Sequence, residues 1–232
     1  MKITTEAIVL HLSKYSDKAA IVHTYTRKYG RMTYMLYGIS GKKRSQLLSA
    51  TEPFSLVEIE ATHNLGREIQ TLNNVSLSYV KKSAGDFNKR AVSMFIAEIL
   101  YRTLSHPEPD EVLFDYLSDT LKGLDFTEDI ENFHLRFLLQ YTYFLGIMPS
   151  LDEYGKMLDI TTGLLINEQN IDNCFTVKET ELLIMLLNNK KVNISRVERQ
   201  SLLNKLCMYY ECHLTDFIKP KSLDVLKEVF DS

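Results

Sequence analysis

The chain has 232 residues, 45% of them hydrophobic and 25% charged, which fits one large globular domain or two modest ones. Three scattered cysteines are too few for a disulfide framework, and the N-terminus lacks the hydrophobic region of a signal peptide. No apolar run approaches the roughly 20 residues that a membrane span needs, so we expect a cytoplasmic protein without a membrane partner.

The formal net charge of −3 hides an uneven distribution. Residues 1–82 contain twelve Lys and Arg against six Asp and Glu, a net charge of +6. The remaining fifteen basic and twenty-four acidic residues give 83–232 a net charge of −9. This asymmetry predicts two domains with different partners.

The first 80 residues are typical of β-structure. Five short apolar or alternating runs are separated by turn residues, and they lie at 7–12, 19–26, 32–37, 54–61 and 67–72. In the fourth run, Val57, Ile59 and Ala61 are expected to face inward and Glu58 and Glu60 outward. Five strands with a brief insertion at 45–50 favour a small closed barrel, either an OB-fold or an SH3-like barrel.

From about residue 81 the apolar residues follow a helical period. Asp86 and Asp110 are predicted N-caps, Gly123 is predicted to end the second helix, and Thr127 to open the third. The segments 176–179 and 195–198 have the pattern of capping boxes, and a last helix is expected from Ser222. An irregular segment lies near 148–175. We therefore predict an α+β chain, an all-β barrel at 1–80 followed by an all-α domain at 81–232.

A basic stretch without acidic residues occupies residues 18–51. Basic side chains attract phosphates and aromatic rings stack on bases, so this stretch is a candidate nucleic-acid site. A solvated hairpin with core tyrosines is the alternative. Tyr34 and Tyr37 fall on opposite faces of one strand, so only one of them can lie on a given binding face. The candidate residues are Arg27, Lys28, Arg31, Tyr34, Tyr37, Lys42, Lys43 and Arg44.

Enzyme motifs give no support for catalysis. A phosphate loop ending at Lys42 needs Gly at position 36 and Ser or Thr at 43, where Leu36 and Lys43 stand. Cys212 and His213 are neighbours on one predicted helix and cannot face each other as a nucleophile and its base. No cysteine spacing suits a structural zinc, so we expect no metal and no cofactor.

The order of elements resembles the bacterial DNA repair protein RecO family. The resemblance is carried by EAIVL at 6–10, the segment from Thr26 to Gly30, a strand ending at Gly38, the basic turn at 42–47 and PFSL at 53–56. It is strong over about the first 60 residues and weaker through the helical region, where GIMP at 146–149 ends a helix.

This resemblance implies an N-terminal OB-fold, a C-terminal helical domain and a recombination mediator without catalytic turnover. Such a protein binds single- and double-stranded DNA and anneals complementary strands in the cytoplasm, at the nucleoid. Its implied protein partners are RecR, the acidic tail of single-stranded DNA-binding protein and, indirectly, RecA. For the tail, the candidate basic residues are Lys89, Arg90, Arg102 and Arg136.

Many members of that family carry four zinc-binding cysteines after the helix that ends in Gly-x-x-Pro. Here residues 150–162 contain no cysteine, so the resemblance does not extend to zinc. Two rival hypotheses remain open from the residues alone. One is a protein–protein adaptor built on a small barrel, and the other is a nuclease or phosphatase that uses the carboxylates of 108–131.

Overall fold

The computed structural model describes residues 1–39, 44–104, 108–151, 155–167 and 173–231. The chain forms two compact units, Met1–Thr127 and Glu128–Ser232. The elements of the first unit are β1 (Lys2–Lys14), β2 (Ala19–Thr26), β3 (Gly30–Tyr37), α1 (Arg44–Ala50), β4 (Leu56–Thr62), β5 (Ile69–Leu77), α2 (Phe87–Thr103) and α3 (Glu111–Phe126). The second unit contains α4 (Ile130–Phe144), β6 (Met157–Leu158), β7 (Leu165–Ile166), α5 (Val177–Leu187), α6 (Arg196–His213) and α7 (Ser222–Asp231).

The five long strands form a closed barrel in the order β1-β2-β3-β5-β4. All neighbours are antiparallel except β3 and β5, which pair in parallel from Thr33 with Ile69 to Leu36 with Leu72. This order is that of the OB-fold, so the OB prediction is confirmed and the SH3-like alternative is wrong. Closure leaves no unpaired sheet edge in this barrel.

Alternation along the strands fills the barrel. Val57, Ile59 and Ala61 are buried and Glu58 and Glu60 are exposed, as the sequence predicts. The buried cluster inside the barrel consists of Ile3, Ala7, Val9, Ala20, Val22, Tyr34, Leu36, Ile39, Ala50, Val57, Ile59, Ala61, Leu72 and Val75. Each large apolar side chain in such a core contributes about 1.5–3 kcal/mol relative to exposure.

Helices α2 and α3 pack on the outer face of the barrel. The ring of Tyr25 on β2 lies 6.4 Å from that of Phe114 on α3, and the Asp110 N–H donates to the Tyr25 hydroxyl over 3.0 Å. These contacts explain why the compact unit extends to Thr127. The boundary at 80/81 separates strands from helices in the sequence, and as a domain boundary it stays a prediction.

The predicted helix caps are largely confirmed. Asp86 accepts from the Lys89 N–H over 3.1 Å, and Asp110 accepts from the Leu113 N–H over 3.0 Å. The predicted stop at Gly123 is wrong, because α3 continues through this residue to Phe126. An isolated glycine costs a helix only about 1 kcal/mol, which the packing of this helix outweighs.

In the second unit both capping boxes are present, from Thr176 to Glu179 and from Ser195 to Glu198. Helix α4 begins after Asp129 rather than at Thr127. The buried guanidinium of Arg199 on α6 bonds to Glu131 and to the Ile194 carbonyl, which ties α6 to α4.

The irregular segment contains the short hairpin β6–β7. Packing holds it: Leu158 and Ile160 are buried, and the Leu158 N–H donates to the Thr180 hydroxyl over 3.0 Å. A Cβ at Gly155 would lie 2.4 Å from the backbone carbon of Leu165, so only glycine permits this approach. Among the described residues no group of three or more His, Cys, Asp or Glu could hold a metal ion. None of the described helices is both long and apolar enough to span a membrane.

Candidate nucleic-acid interface

The β2–β3 hairpin divides the predicted basic stretch between the two ends of the barrel. Thr26 pairs with Gly30 beside the turn, and Ala19 pairs with Tyr37 at the other end. Seven residue steps at about 3.3 Å each separate these pairs by about 23 Å. Residues near the turn and residues near Tyr37 therefore belong to different surfaces.

At the turn end, Arg27 is held by the protein itself. Its guanidinium lies 3.1 Å from Glu6 and 2.8 Å from Asp115, and it stacks 4.3 Å from the centroid of the Phe114 ring. Burial would lower the pKa of Arg27, but the hydrogen bonds to Asp115 and Glu6 outweigh it and raise the pKa. Its charge is therefore already neutralised by two carboxylates.

Arg31 bonds to the C-terminus of α2. One guanidinium nitrogen, Nη1, lies 2.5 Å from each of the carbonyl oxygens of Tyr101 and Leu104, and the guanidinium stacks 4.6 Å from the Tyr101 ring centroid. Helix C-terminal carbonyls lack intrahelical donors and carry partial negative charge, so Arg31 caps the helix. Burial and the neighbouring Arg31 lower the pKa of His23 to about 4.

Tyr34 belongs to the barrel core. It is fully buried, its hydroxyl lies 3.0 Å from Nε2 of His63, and burial raises its pKa above the usual range. Its ring cannot stack on a base while the barrel is closed. Tyr37 lies on the opposite face of the strand and is 62% exposed, so it is the tyrosine of this pair that a ligand can reach.

Of the remaining basic candidates, Lys28 has few contacts with the protein, and the others have side chains outside the described residues. Lys28 is exposed at the turn, with Nζ 3.4 Å from the Thr4 carbonyl oxygen. Lys42 and Lys43 lie outside the described residues. Arg44 is the first residue of α1, and its side chain also lies outside the description. Of the candidates whose side chains the structure describes, Lys28 and Tyr37 are therefore the ones that a ligand can reach.

Two further side chains at the Tyr37 end were not among the candidate site residues, although Lys18 is the first residue of the basic stretch. Tyr15 is 66% exposed and follows β1, and Lys18 is exposed just before β2. The carbonyl oxygen of Lys18 accepts from the N–H groups of Gly38 and Ile39, which joins the β1–β2 loop to the chain after β3. The sequence feature that could have identified Tyr15 is an aromatic residue within a polar turn.

A second feature absent from the sequence reasoning is the anchor formed by Asp125 at the end of α3. Its carboxylate accepts from Tyr79 over 2.7 Å, from the Lys82 N–H over 2.9 Å and from the Ser83 N–H over 2.8 Å. Burial would raise the pKa of Asp125, but hydrogen bonds from Ser83 and Tyr79 outweigh it and hold the pKa far below its usual range. This anchor fixes the connection from the barrel to α2.

Beside this anchor lies a cavity of about 70 Å³, lined by basic and apolar side chains together with Glu52 and Asp125. Its basic residues are Lys81, Lys89 and Arg90. Burial lowers the pKa of Lys81 to about 8. Lys89 Nζ donates to the Asp125 carbonyl over 2.7 Å, and Arg90 lies 3.8 Å from Glu52.

In the second unit, a smaller cavity of about 20 Å³ is lined by apolar and basic side chains and by no carboxylate of the described residues. Its lining residues are His134, Arg196, Arg199, Gln200, Leu203, Leu226, Lys227 and Phe230. Burial lowers the pKa of His134 to about 3, with a further contribution from Arg199, so the imidazole is neutral at physiological pH. His134 is therefore packed inside this unit, next to the ring of Phe230 at 5.8 Å.

Five of the nine carboxylates of 108–131, which the nuclease hypothesis invoked, have structural roles. Asp110 caps α3, Asp115 pairs with Arg27, and Asp125 anchors the connection to α2. Asp129 lies 2.9 Å from Arg136, and Glu131 pairs with Arg199. The described part of the chain also contains no group of three or more His, Cys, Asp or Glu that could hold a catalytic metal ion.

A five-stranded OB barrel with exposed aromatic and basic side chains at one end defines a class of protein, the small barrels that bind oligonucleotides or oligosaccharides. Two protein-family profiles match the chain: Recombination protein O N terminal over residues 1–80 and Recombination protein O C terminal over residues 84–158.

Similar full-length proteins include the DNA repair protein RecO of Flavobacterium johnsoniae, which is 35% identical over 99% of this chain and 100% of its own length. The proteins of the same name from Christiangramia forsetii and Phocaeicola vulgatus are each 32% identical, over 99% and 97% of this chain and 100% and 98% of their own lengths. The chain belongs to the RecO family.

Proposed function

We propose that the chain is a recombination mediator that acts without catalytic turnover in DNA repair and homologous recombination, in the cytoplasm at the nucleoid. The observation that carries this proposal is end-to-end similarity to proteins named DNA repair protein RecO. The OB barrel supports it, because this fold commonly binds oligonucleotides.

The barrel binds single- and double-stranded DNA through phosphate contacts and anneals complementary strands. Annealing must work on any sequence, and phosphate contacts carry no sequence information. Lys42, Lys43 and Arg44 supply charge and Tyr37 a stacking ring, and Lys28, at the opposite end of the barrel from Tyr37, supplies a separate phosphate contact. Arg27, Arg31 and Tyr34 support the interface from within, since their contacts are internal.

The test is a fluorescence-anisotropy titration with single- and double-stranded DNA over a range of salt concentrations. For the Lys42→Ala/Lys43→Ala/Arg44→Ala variant we expect weaker binding and slower annealing on all sequences. Each lost phosphate contact on a single strand lowers the salt slope by about 0.7, so the triple change should lower it by about 2.

A matched control is Lys190→Ala/Lys191→Ala, which removes two exposed basic residues from the second unit. It should bind DNA like the parent. Equal DNA binding and annealing by the triple variant and the parent would contradict the assignment of this basic segment. A parent protein that binds no DNA at physiological salt would favour the protein–protein adaptor instead.

Its protein partners are RecR, single-stranded DNA-binding protein and, indirectly, RecA, which it helps to load onto coated single strands. For the acidic tail of single-stranded DNA-binding protein, which ends in apolar residues, the site must combine basic and apolar side chains. Arg102 already bonds to Glu98, and Arg136 to Asp129 and backbone carbonyls, so these two are unsuited.

We place the tail on the surface around the small cavity of the second unit, where Lys227 borders Leu203, Leu226 and Phe230. The cavity beside Arg90 is less suitable, because Glu52 and Asp125 line it and would repel an acidic peptide.

Calorimetry of the full chain with a tail peptide tests this placement. Lys227→Glu should weaken binding about tenfold or more, which is about 1.4 kcal/mol. Arg90→Glu should leave it unchanged. The opposite pattern would move the tail to the cavity of the first unit.

A further inference from the structure

Two exposed tyrosines meet at one end of the barrel, on either side of a small residue. The Tyr15 N–H donates to the Ala19 carbonyl over 3.1 Å, and Ala19 pairs with Tyr37 in the β2–β3 ladder. Strands lie about 4.8 Å apart, so the backbones of the two tyrosines are about 10 Å apart. Tyr15 is 66% and Tyr37 62% exposed.

The strand register places both rings on the outer face. Ala20 and Leu36 point into the barrel core, so their neighbours Ala19 and Tyr37 point outward. Lys14 pairs with Ala20, which gives the following residue, Tyr15, the outward orientation as well. Ala19, which lies between the two tyrosines, is itself buried, so the exposed faces of the two rings form the accessible surface here.

Elsewhere on β1 and β2 the outer face is occupied by the helices of the same unit. The Tyr101 ring of α2 lies 5.0 Å from both His11 and His23, and Phe114 of α3 lies 6.4 Å from Tyr25. Among the described residues no ring–ring contact involves Tyr15 or Tyr37. The rings of Tyr15 and Tyr37 therefore lie apart from these helix contacts, and the other exposed Phe and Tyr rings that the structure describes in this unit, Phe87 and Phe126, lie on α2 and α3 themselves.

The local charge suits a polyanion. Lys14 and Lys18 flank Tyr15 and are exposed, against one acidic residue, Asp17. Lys14 lies 2.7 Å from Asp17, but both side chains are largely exposed, and such surface pairs contribute little. Because the Lys14–Asp17 pair contributes little free energy, Lys14 can leave Asp17 and pair with a phosphate with little loss of stability.

We propose that Tyr15 and Tyr37 form a stacking site for two unpaired nucleobases of a single strand, whose phosphates are attracted by the exposed Lys18 and by Lys14 on the opposite face of β1. The site deepens the proposed function and rests on it. Base–aromatic stacking tolerates any sequence, because every base has a flat π-face. A duplex keeps its bases stacked inside, so the two rings favour single strands over duplexes.

The test compares binding of the full chain to an oligothymidylate and to an abasic oligonucleotide of the same length and charge. Stacking of one base contributes a factor of about 5 to 150, so Tyr15→Ala/Tyr37→Ala should weaken oligothymidylate binding at least about 25-fold. Binding to the abasic strand and the salt slope should not change, because no cation is removed.

Tyr15→Phe/Tyr37→Phe keeps the rings and should bind like the parent. The second control, Tyr143→Ala, removes an equally exposed tyrosine from the second unit and should also bind like the parent. The inference is overturned if the double alanine variant binds oligothymidylate like the parent, or loses both ligands equally. In the first case, the tyrosines instead serve a protein partner. A parent that binds neither strand overturns the proposed function as well, which separates the two failures.

Discussion

Arg31 is the residue for which the sequence and the structure suggest different roles, and its substitution distinguishes them. In the structure its guanidinium caps α2 through the Tyr101 and Leu104 carbonyls, at 2.5 Å each, and stacks on the Tyr101 ring. A hydrogen bond to a charged group contributes about 1.5–3 kcal/mol and an exposed cation–π contact about 0.5–1 kcal/mol. Together these contributions amount to about 2–4 kcal/mol, so we expect Arg31→Ala to lower the free energy of unfolding by about that much.

Urea denaturation followed by circular dichroism measures this loss, which at a slope of about 2 kcal/mol/M shifts the midpoint by about 1–2 M. A second readout is the pKa of His23, which burial and Arg31 both lower. Without Arg31 this pKa should rise, although burial will still keep it below the usual value. Nuclear magnetic resonance titration of the imidazole follows it directly.

Lys28→Ala is the matched control, since Lys28 is exposed at the same turn and its removal should change stability by no more than about 0.5 kcal/mol. Folded Arg31→Ala protein should retain the parent's salt slope for DNA binding. The reasoning would be refuted if Arg31→Ala were as stable as Lys28→Ala while its salt slope fell by about 0.7. Arg31 would then be a phosphate contact rather than a helix cap.

Three further predictions concern stability, metal content and catalysis. Asp125→Ala should lower the free energy of unfolding by about 3–5 kcal/mol, because the N–H groups of Lys82 and Ser83 lose their acceptor; a loss below about 1 kcal/mol by urea denaturation would contradict the anchor. The folded-state pKa of Asp125 is depressed, so its contribution is complete above about pH 4 and declines as pH falls below that value toward the folded-state pKa. The parent should therefore lose stability on acidification more steeply than Asp125→Ala. Elemental analysis should find far less than one zinc per chain, and folding should be unchanged in a chelator; stoichiometric zinc would refute this. Purified protein should not hydrolyse ATP with or without DNA, since Leu36 and Lys43 break the phosphate-loop pattern; turnover that is lost on substitution of Lys42 would overturn this.

Local signals in the sequence were sufficient for most elements. Strand alternation placed Ile59 inside and Glu60 outside, and short-range side-chain chemistry identified the caps at Asp86 and Asp110. These features depend on residues within a few positions of each other, so the sequence carries them directly. The stop predicted at Gly123 was wrong because packing of the whole helix outweighed one local preference.

The candidate site was predictable only in part, because charge along the chain does not show where a charged group finds its partner. Arg27 meets Asp115, and Arg31 meets the end of α2 about 70 residues later in the sequence. Such contacts arise only when the helices pack on the barrel. They give both arginines internal partners, which no local pattern could indicate, and the role of these arginines as DNA contacts stays a prediction.

What the sequence by itself determined is the type and order of the elements, the barrel's strand count and the basic character of the first domain, since periodicity, capping and composition are local properties. Only the tertiary structure decided the parallel closure of β3 on β5 and the division of the basic stretch between two ends of the barrel. It also brought Tyr15 beside Tyr37, although 22 positions separate them in the chain. The physical reason is that strand pairing and helix packing join residues distant in the sequence, and a side chain's exposure depends on those neighbours.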